Sequence, residues 1–172
     1  MASLTPRGRA LRWLTNHRYI TESPAGSNRD SRKDGIRAAQ VRCADGGTWL
    51  VGQPWCGVWA YNALRAGGVK HLSSRLASVA LIEDDARAKR GPFRGWTKNH
   101  RVVFRGDLVV LFGRGVHVGV VRKVYPNLGL VRTEEGNTSS GNSGSQDNGG
   151  GSYPRWRRLS DVHGFALVNY PG

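Results

Sequence analysis

Gln53-Pro54-Trp55-Cys56-Gly57-Val58-Trp59-Ala60-Tyr61-Asn62-Ala63-Leu64-Arg65-Ala66-Gly67-Gly68 is the stretch on which the fold turns. Proline near its start and paired glycines at its end are the terminal preferences of a helix, so Cys56 falls in the first helical turn. A thiol there feels the positive end of the helix dipole, which favours the thiolate. The competing expectation is a small buried hydrophobe, the usual state of an isolated cysteine. What surrounds Cys56 decides between the two.

Upstream, Leu11, Leu14 and Ile20 recur near helical spacing with Trp13 beside them, which predicts a helix over residues 4–18. Thr21-Glu22-Ser23-Pro24-Ala25-Gly26-Ser27-Asn28 breaks it, and a second helix is predicted over residues 34–43, stopped by Asp45-Gly46-Gly47. Downstream, residues 72–88 read as a further helix and residues 91–105 as a basic connector holding Trp96. After Arg105 the pattern turns to short β-rich runs at residues 107–112, 116–124 and 128–135, with further strands near 153–158 and 165–170. Residues 138–152 are dominated by Gly, Ser, Asn and Gln, and read as a flexible loop that either borders a cleft or is a disordered hairpin tip. Helices first and an antiparallel sheet afterwards make an α+β domain.

The β-rich half supplies a partner for Cys56. In Gly115-Val116-His117-Val118-Gly119-Val120-Val121, strand alternation puts His117, Gly119 and Val121 on one face and the other valines on the opposite one. A polar ring beside a residue with no side chain fits a base at a cleft, whereas His17, His71, His100 and His163 sit among polar or loop residues. An imidazole base needs a third group to hold it. In Val131-Arg132-Thr133-Glu134-Glu135-Gly136-Asn137 the same parity separates Glu135 and Asn137 from Glu134, unless a bulge at Gly136 shifts the register. Cys43, at the far end of its predicted helix, reads as structural.

The 172 residues hold 26 Lys+Arg against 12 Asp+Glu, a formal net charge of +14. With 38% hydrophobic residues, 22% charged and six Trp, the chain is composed to fold despite that charge, and one domain is the expectation at this length. Its longest apolar run, Leu108-Val109-Val110-Leu111-Phe112, is far below the roughly 20 residues of a membrane helix. The first ten residues carry no apolar region after their arginines, so neither a membrane span nor a secretory signal is expected. Two cysteines give no disulfide framework, and His, Cys and acidic residues never cluster at metal-ligand spacing, so no metal or other cofactor is expected. The charge is uneven: +6 over residues 1–42, −1 over 43–85, +10 over 86–132 and −1 over 133–172. Of the 26 basic residues 21 are Arg, which suits either a polyanionic partner or a plain solvated surface.

Trp55-Cys56 opening a helix, Gly106-Asp107-Leu108-Val109-Val110 leading to His117-Val118-Gly119, and Glu135-Gly136-Asn137 on the following strand together resemble a CHAP or NlpC-type cysteine peptidase. These are papain-like peptidoglycan hydrolases of phage endolysins and bacterial autolysins, and the segment from Thr21 to Asn28 is similar to one that precedes the cysteine in several of them. The resemblance implies a single catalytic domain over residues 1–172, with its core at about 10–170, that cuts amide bonds in cell-wall peptides. It implies Cys56 as nucleophile, His117 as base and Glu135 or Asn137 as the orienting group. The oxyanion donors would be the Cys56 backbone N–H and the Gln53 side chain. Asn28 and Trp55 are candidates for substrate contact, against the alternatives that Asn28 bonds its own loop and Trp55 is core. The implied partner is bacterial peptidoglycan with its anionic polymers rather than nucleic acid. The implied protein is a monomer made in the cytoplasm, a phage's host included, that acts on the wall after release. The reading from another class is a basic, non-catalytic module that binds nucleic acid or wall polymer.

Overall fold

Thr5 starts the first helix: its Oγ1 accepts the Gly8 N–H at 3.1 Å and Pro6 occupies the first helical position, where a missing N–H costs nothing. The computed structural model describes residues 4–30, 32–141 and 144–172. Among these residues four α-helices come first: α1 (Pro6–Asn16), α2 (Ile36–Cys43), α3 (Cys56–Ala66) and α4 (Val79–Arg87). Six strands follow: β1 (Phe93–Thr97), β2 (Leu108–Leu111), β3 (His117–Tyr125), β4 (Leu130–Thr138), β5 (Gly151–Arg158) and β6 (Val162–Val168). They form one sheet in the order β1-β6-β2-β3-β4-β5, every neighbouring pair antiparallel. The α+β expectation therefore holds. No helix among the described residues is long and apolar enough to cross a membrane.

Helix α3 is the central pillar. Val58, Trp59, Ala63 and Leu64 on it join Leu14 of α1, Ile36 of α2 and Ile82 of α4 in one apolar cluster with Leu108, Val110, Val118, Val120 and Ala166 of the sheet. A smaller cluster, Val109, Leu111, Val121, Val131 and Phe165, lies on the other face. The alternation read from the sequence is thus realised: Val118 and Val120 face the helices, and Val121 faces away.

Several boundaries differ from the sequence reading. The expected basic connector over residues 91–105 contains an edge strand, β1, paired with β6. The predicted helix over 72–88 is split, with a 3₁₀ turn at Ser74–Ala77 and then α4, started by Ser78. Thr138 and Gly151–Ser152, placed by sequence in the Gly/Ser loop, belong to β4 and β5. The loop between them is bonded rather than free where it is described: Ser139 to Ser145, and Gln146 to Arg155 and Arg157. Part of it, residues 142–143, lies outside the described residues.

Candidate active site

Cys56 is the first residue of α3, and Trp55, at the cap position, supplies no side-chain bond to the helix start. The first N–H groups of that helix are therefore left for other acceptors. Gly57 must be glycine here, because a Cβ would lie 2.1 Å from the Leu76 carbonyl oxygen. Its absence lets the 3₁₀ turn close over the helix start. A cleft of about 530 Å³ opens between this turn and the approach to Cys56, lined by Trp49, Leu50, Gln53, Pro54, Ser78 and Leu81.

His117 opens β3, fully buried, and its Nε2 lies 2.9 Å from Oε2 of Glu135 on β4. Gly119 makes this pairing possible. It stands opposite Glu135 in the ladder, and a Cβ there would lie 2.8 Å from Glu135 Cγ. The room beside His117 that the sequence suggested is taken up by the glutamate itself. With Nε2 occupied, Nδ1 is the ring nitrogen left for the thiol. It is buried and has no formed hydrogen bond among the described residues. The Cys56 thiol adjoins the ring, near enough for each group to shift the other's ionisation.

The ionisation of the three groups is linked. Burial works against a Cys56 thiolate, but the adjoining His117 ring and the N–H groups of Val118 and Gly57 outweigh it, and the thiol's pKa is lowered. Burial likewise disfavours an imidazolium, yet Cys56 and Glu135 on either side raise His117 to about 10. Burial would push Glu135 up, while Arg157 and His117 bring it down to about 2. All three shifts favour a thiolate–imidazolium–carboxylate row. Cys43 has no such company, and burial pushes it up to about 12.

Asn137 is close in sequence but does not share this row. Its backbone is left-handed, φ 59°, at a register shift between Glu135 and Thr138, and its Nδ2 donates to Asn148. Gly136 sits where a Cβ would be 2.7 Å from both Trp55 and Trp59, so the chain bends there around α3. Of the two candidates, Glu135 and Asn137, it is Glu135 that is bonded to the His117 ring. Glu134, on the opposite face, is bonded by Arg18 and Arg122 on the α1 side.

Trp55 requires a correction. It is 0% exposed, stacks edge-on against Trp59 at 5.1 Å and donates Nε1–H to Glu22 at 2.9 Å, so its side chain is core and presents nothing to a substrate. Gln53 lies exposed at the cleft, and its side chain makes no hydrogen bond among the described residues, so nothing directs it at Cys56. Asn28 is half-buried in a left-handed conformation, and its Oδ1 is buried without a partner among the described residues. Gln40 Nε2 ties the Asn28 carbonyl (2.8 Å) to the Gln53 carbonyl (3.0 Å), which holds the Thr21-to-Asn28 segment against the run leading into Cys56.

Sequence reasoning missed Arg157, whose Nε and Nη2 grip the two Glu135 oxygens, Nε at 2.9 Å from Oε1. It also missed Glu22 and Gln40. Thr133 shared the predicted face and donates its hydroxyl to Glu135. Among the described residues no group of three or more His, Cys, Asp or Glu is placed to hold a metal ion. Comparison of the chain with known family models, curated proteins and solved structures returns no match.

Proposed function

We propose that the chain is a papain-like cysteine hydrolase that cuts amide bonds in the peptide part of bacterial peptidoglycan. The observation that carries the reading is the row Cys56–His117–Glu135, with the cysteine at an uncapped helix start beside the imidazole and the carboxylate on its Nε2. In the proposed reaction the Cys56 sulfur attacks the scissile carbonyl. The oxyanion takes the backbone N–H of Cys56 at the helix N-terminus, and His117 passes its proton from Nδ1 to the leaving amine. Water, deprotonated by the same nitrogen, then releases the acyl group and restores the thiolate. Support for the wall as substrate is the order of motifs and the charge of +14, which would hold the enzyme to anionic polymers. On this reading the protein is one catalytic domain and a monomer, made in the cytoplasm and active on the wall after release, in the manner of a phage endolysin.

The test is digestion of purified cell walls with the wild type and Cys56→Ala, followed by mass spectrometry of the fragments. The wild type should release new amines or peptide fragments and the variant none. Hydrolysis by a folded Cys56→Ala protein rejects the reading.

A binding module without catalysis is favoured by one observation. Arg7, Arg94 and Arg105 line a second cleft, of about 510 Å³, with one buried carboxylate, Asp107, facing Arg7 and Arg94. It calls for salt-dependent polyanion binding that survives Cys56→Ala, with no wall hydrolysis by either protein.

A further inference from the structure

Behind Glu135 the row continues. Arg157, 5% exposed, takes both carboxylate oxygens, and Thr133 Oγ1 donates to Oε1. Arg157 is itself held on every side: Thr138 Oγ1 at 3.0 Å, Gln146 Oε1 at 2.8 Å, and the Phe112 ring 5.2 Å from its guanidinium carbon. Gln146 Oε1 also accepts from Arg155, whose other bonds go to the Ser140 and Gly141 carbonyls. The charged groups around the site are thus Cys56 from α3, His117 from β3, Glu135 from β4, and Arg155 and Arg157 from β5. A surface salt bridge would need no such housing. A fork on a fully buried carboxylate, braced by a loop side chain, fixes both its charge and its direction.

We propose that Arg157 is a positioning residue for the Cys56–His117 pair, acting through Glu135, and that the loop residue Gln146 holds it in place. The mechanism follows from which atom carries the ring proton. While Glu135 is an anion it can only accept, so the proton of a neutral His117 stays on Nε2 and Nδ1 is free to take the thiol proton. Without Arg157 a carboxylate this deeply buried would hold a proton. Its hydroxyl would donate to Nε2, the ring proton would move to Nδ1, and a donor rather than an acceptor would face the thiol. The thiolate–imidazolium pair would then lose the charge that sustains it.

This inference rests on the Cys–His–Glu row of the proposed function but not on the substrate, and its test needs no substrate. The rate of Cys56 alkylation by iodoacetamide is followed against pH by mass spectrometry, with folding checked by circular dichroism. Arg157→Met should move the midpoint of the profile upward by about one unit or more, and cut the rate near neutrality about tenfold. Arg157→Lys keeps the charge without the fork and should give a smaller upward shift. Gln146→Ala, on the partly exposed loop, should shift the midpoint in the same direction while leaving the fold intact. Should Arg157→Met fail to fold, the Lys and Gln146 variants decide. Unchanged profiles in the folded variants overturn the proposal. Shifted profiles in a protein that leaves cell walls intact would reject the wall as substrate and uphold the role of Arg157. Normal wall hydrolysis with an unshifted profile does the reverse.

Discussion

Glu135 binds His117 through Nε2, at 2.9 Å, which leaves Nδ1 as the ring nitrogen free for the thiol. Replacing it by Gln keeps the size and one acceptor but removes the charge that stabilises the imidazolium. We expect Glu135→Gln to lower kcat/KM on cell-wall substrate by about 10²- to 10⁴-fold. Asn137→Ala, which loses only a bond to Asn148, should change it by less than about tenfold. Steady-state kinetics on the two variants tests the assignment, and the opposite ranking would transfer the orienting role to Asn137.

Glycine at 119 is a steric requirement. A methyl group there would stand 2.8 Å from Glu135 Cγ and 3.4 Å from Thr133 Cβ. Gly119→Ala should fold with a loss of about 1–3 kcal/mol, read from denaturant unfolding. Displacing the carboxylate should reduce kcat/KM by on the order of 100-fold. A variant with full activity would show that Glu135 can leave His117 without cost.

Ionisation of the row makes stability depend on pH in a defined direction. Glu135 has its pKa depressed to about 2 in the folded protein. Its contribution is present above the ordinary carboxylate pKa and is lost as pH falls from there toward about 2. His117, raised to about 10, contributes fully below its ordinary value and loses that contribution as pH climbs toward about 10. Unfolding free energy measured across both windows should fall at each end for the wild type. Glu135→Gln should flatten the acid limb, and an unchanged acid limb would contradict the depressed carboxylate.

The two cysteines should differ sharply in reactivity. Cys56 has its pKa lowered by His117 and two backbone N–H groups against the effect of burial, whereas burial alone pushes Cys43 up to about 12. Limiting iodoacetamide at neutral pH should therefore mark Cys56 first, as read by peptide mapping. Prior modification of Cys43 would count against the ion-paired thiol.

Much of this site could be read from strand parity and helix punctuation. Pro54 and the Gly67-Gly68 pair put Cys56 in a first helical turn, and the period of two placed His117 and Glu135 on one face. Parity failed at Asn137, where Gly136 yields to Trp55 and Trp59 and the chain takes a left-handed step; Gly136 marked a possible bulge, but the tryptophans that press on it lie far away in the chain. Arg157 was hidden because its reach from β5 to Glu135 on β4 depends on three-dimensional register and not on spacing in the chain. The β1 strand, Phe-Arg-Gly-Trp-Thr, has almost no alternation of its own and exists because β6 offers it an edge. Trp55 shows the remaining gap: an aromatic beside a nucleophile looks alike in sequence whether it meets a substrate or, as here, fills the core.

The row of charges joins a contact local in sequence to a distant one. His117 and Glu135 belong to neighbouring antiparallel strands joined by a short turn at Pro126–Leu128, so their contact is local in sequence. Cys56 lies 61 residues before His117 and meets it only through the packing of α3 on β3. A chain in which α3 is not packed on the sheet therefore carries an ordinary thiol, sluggish as a nucleophile. The reactive form of the thiol thus exists only where that packing is complete, which makes the fold its own safety catch.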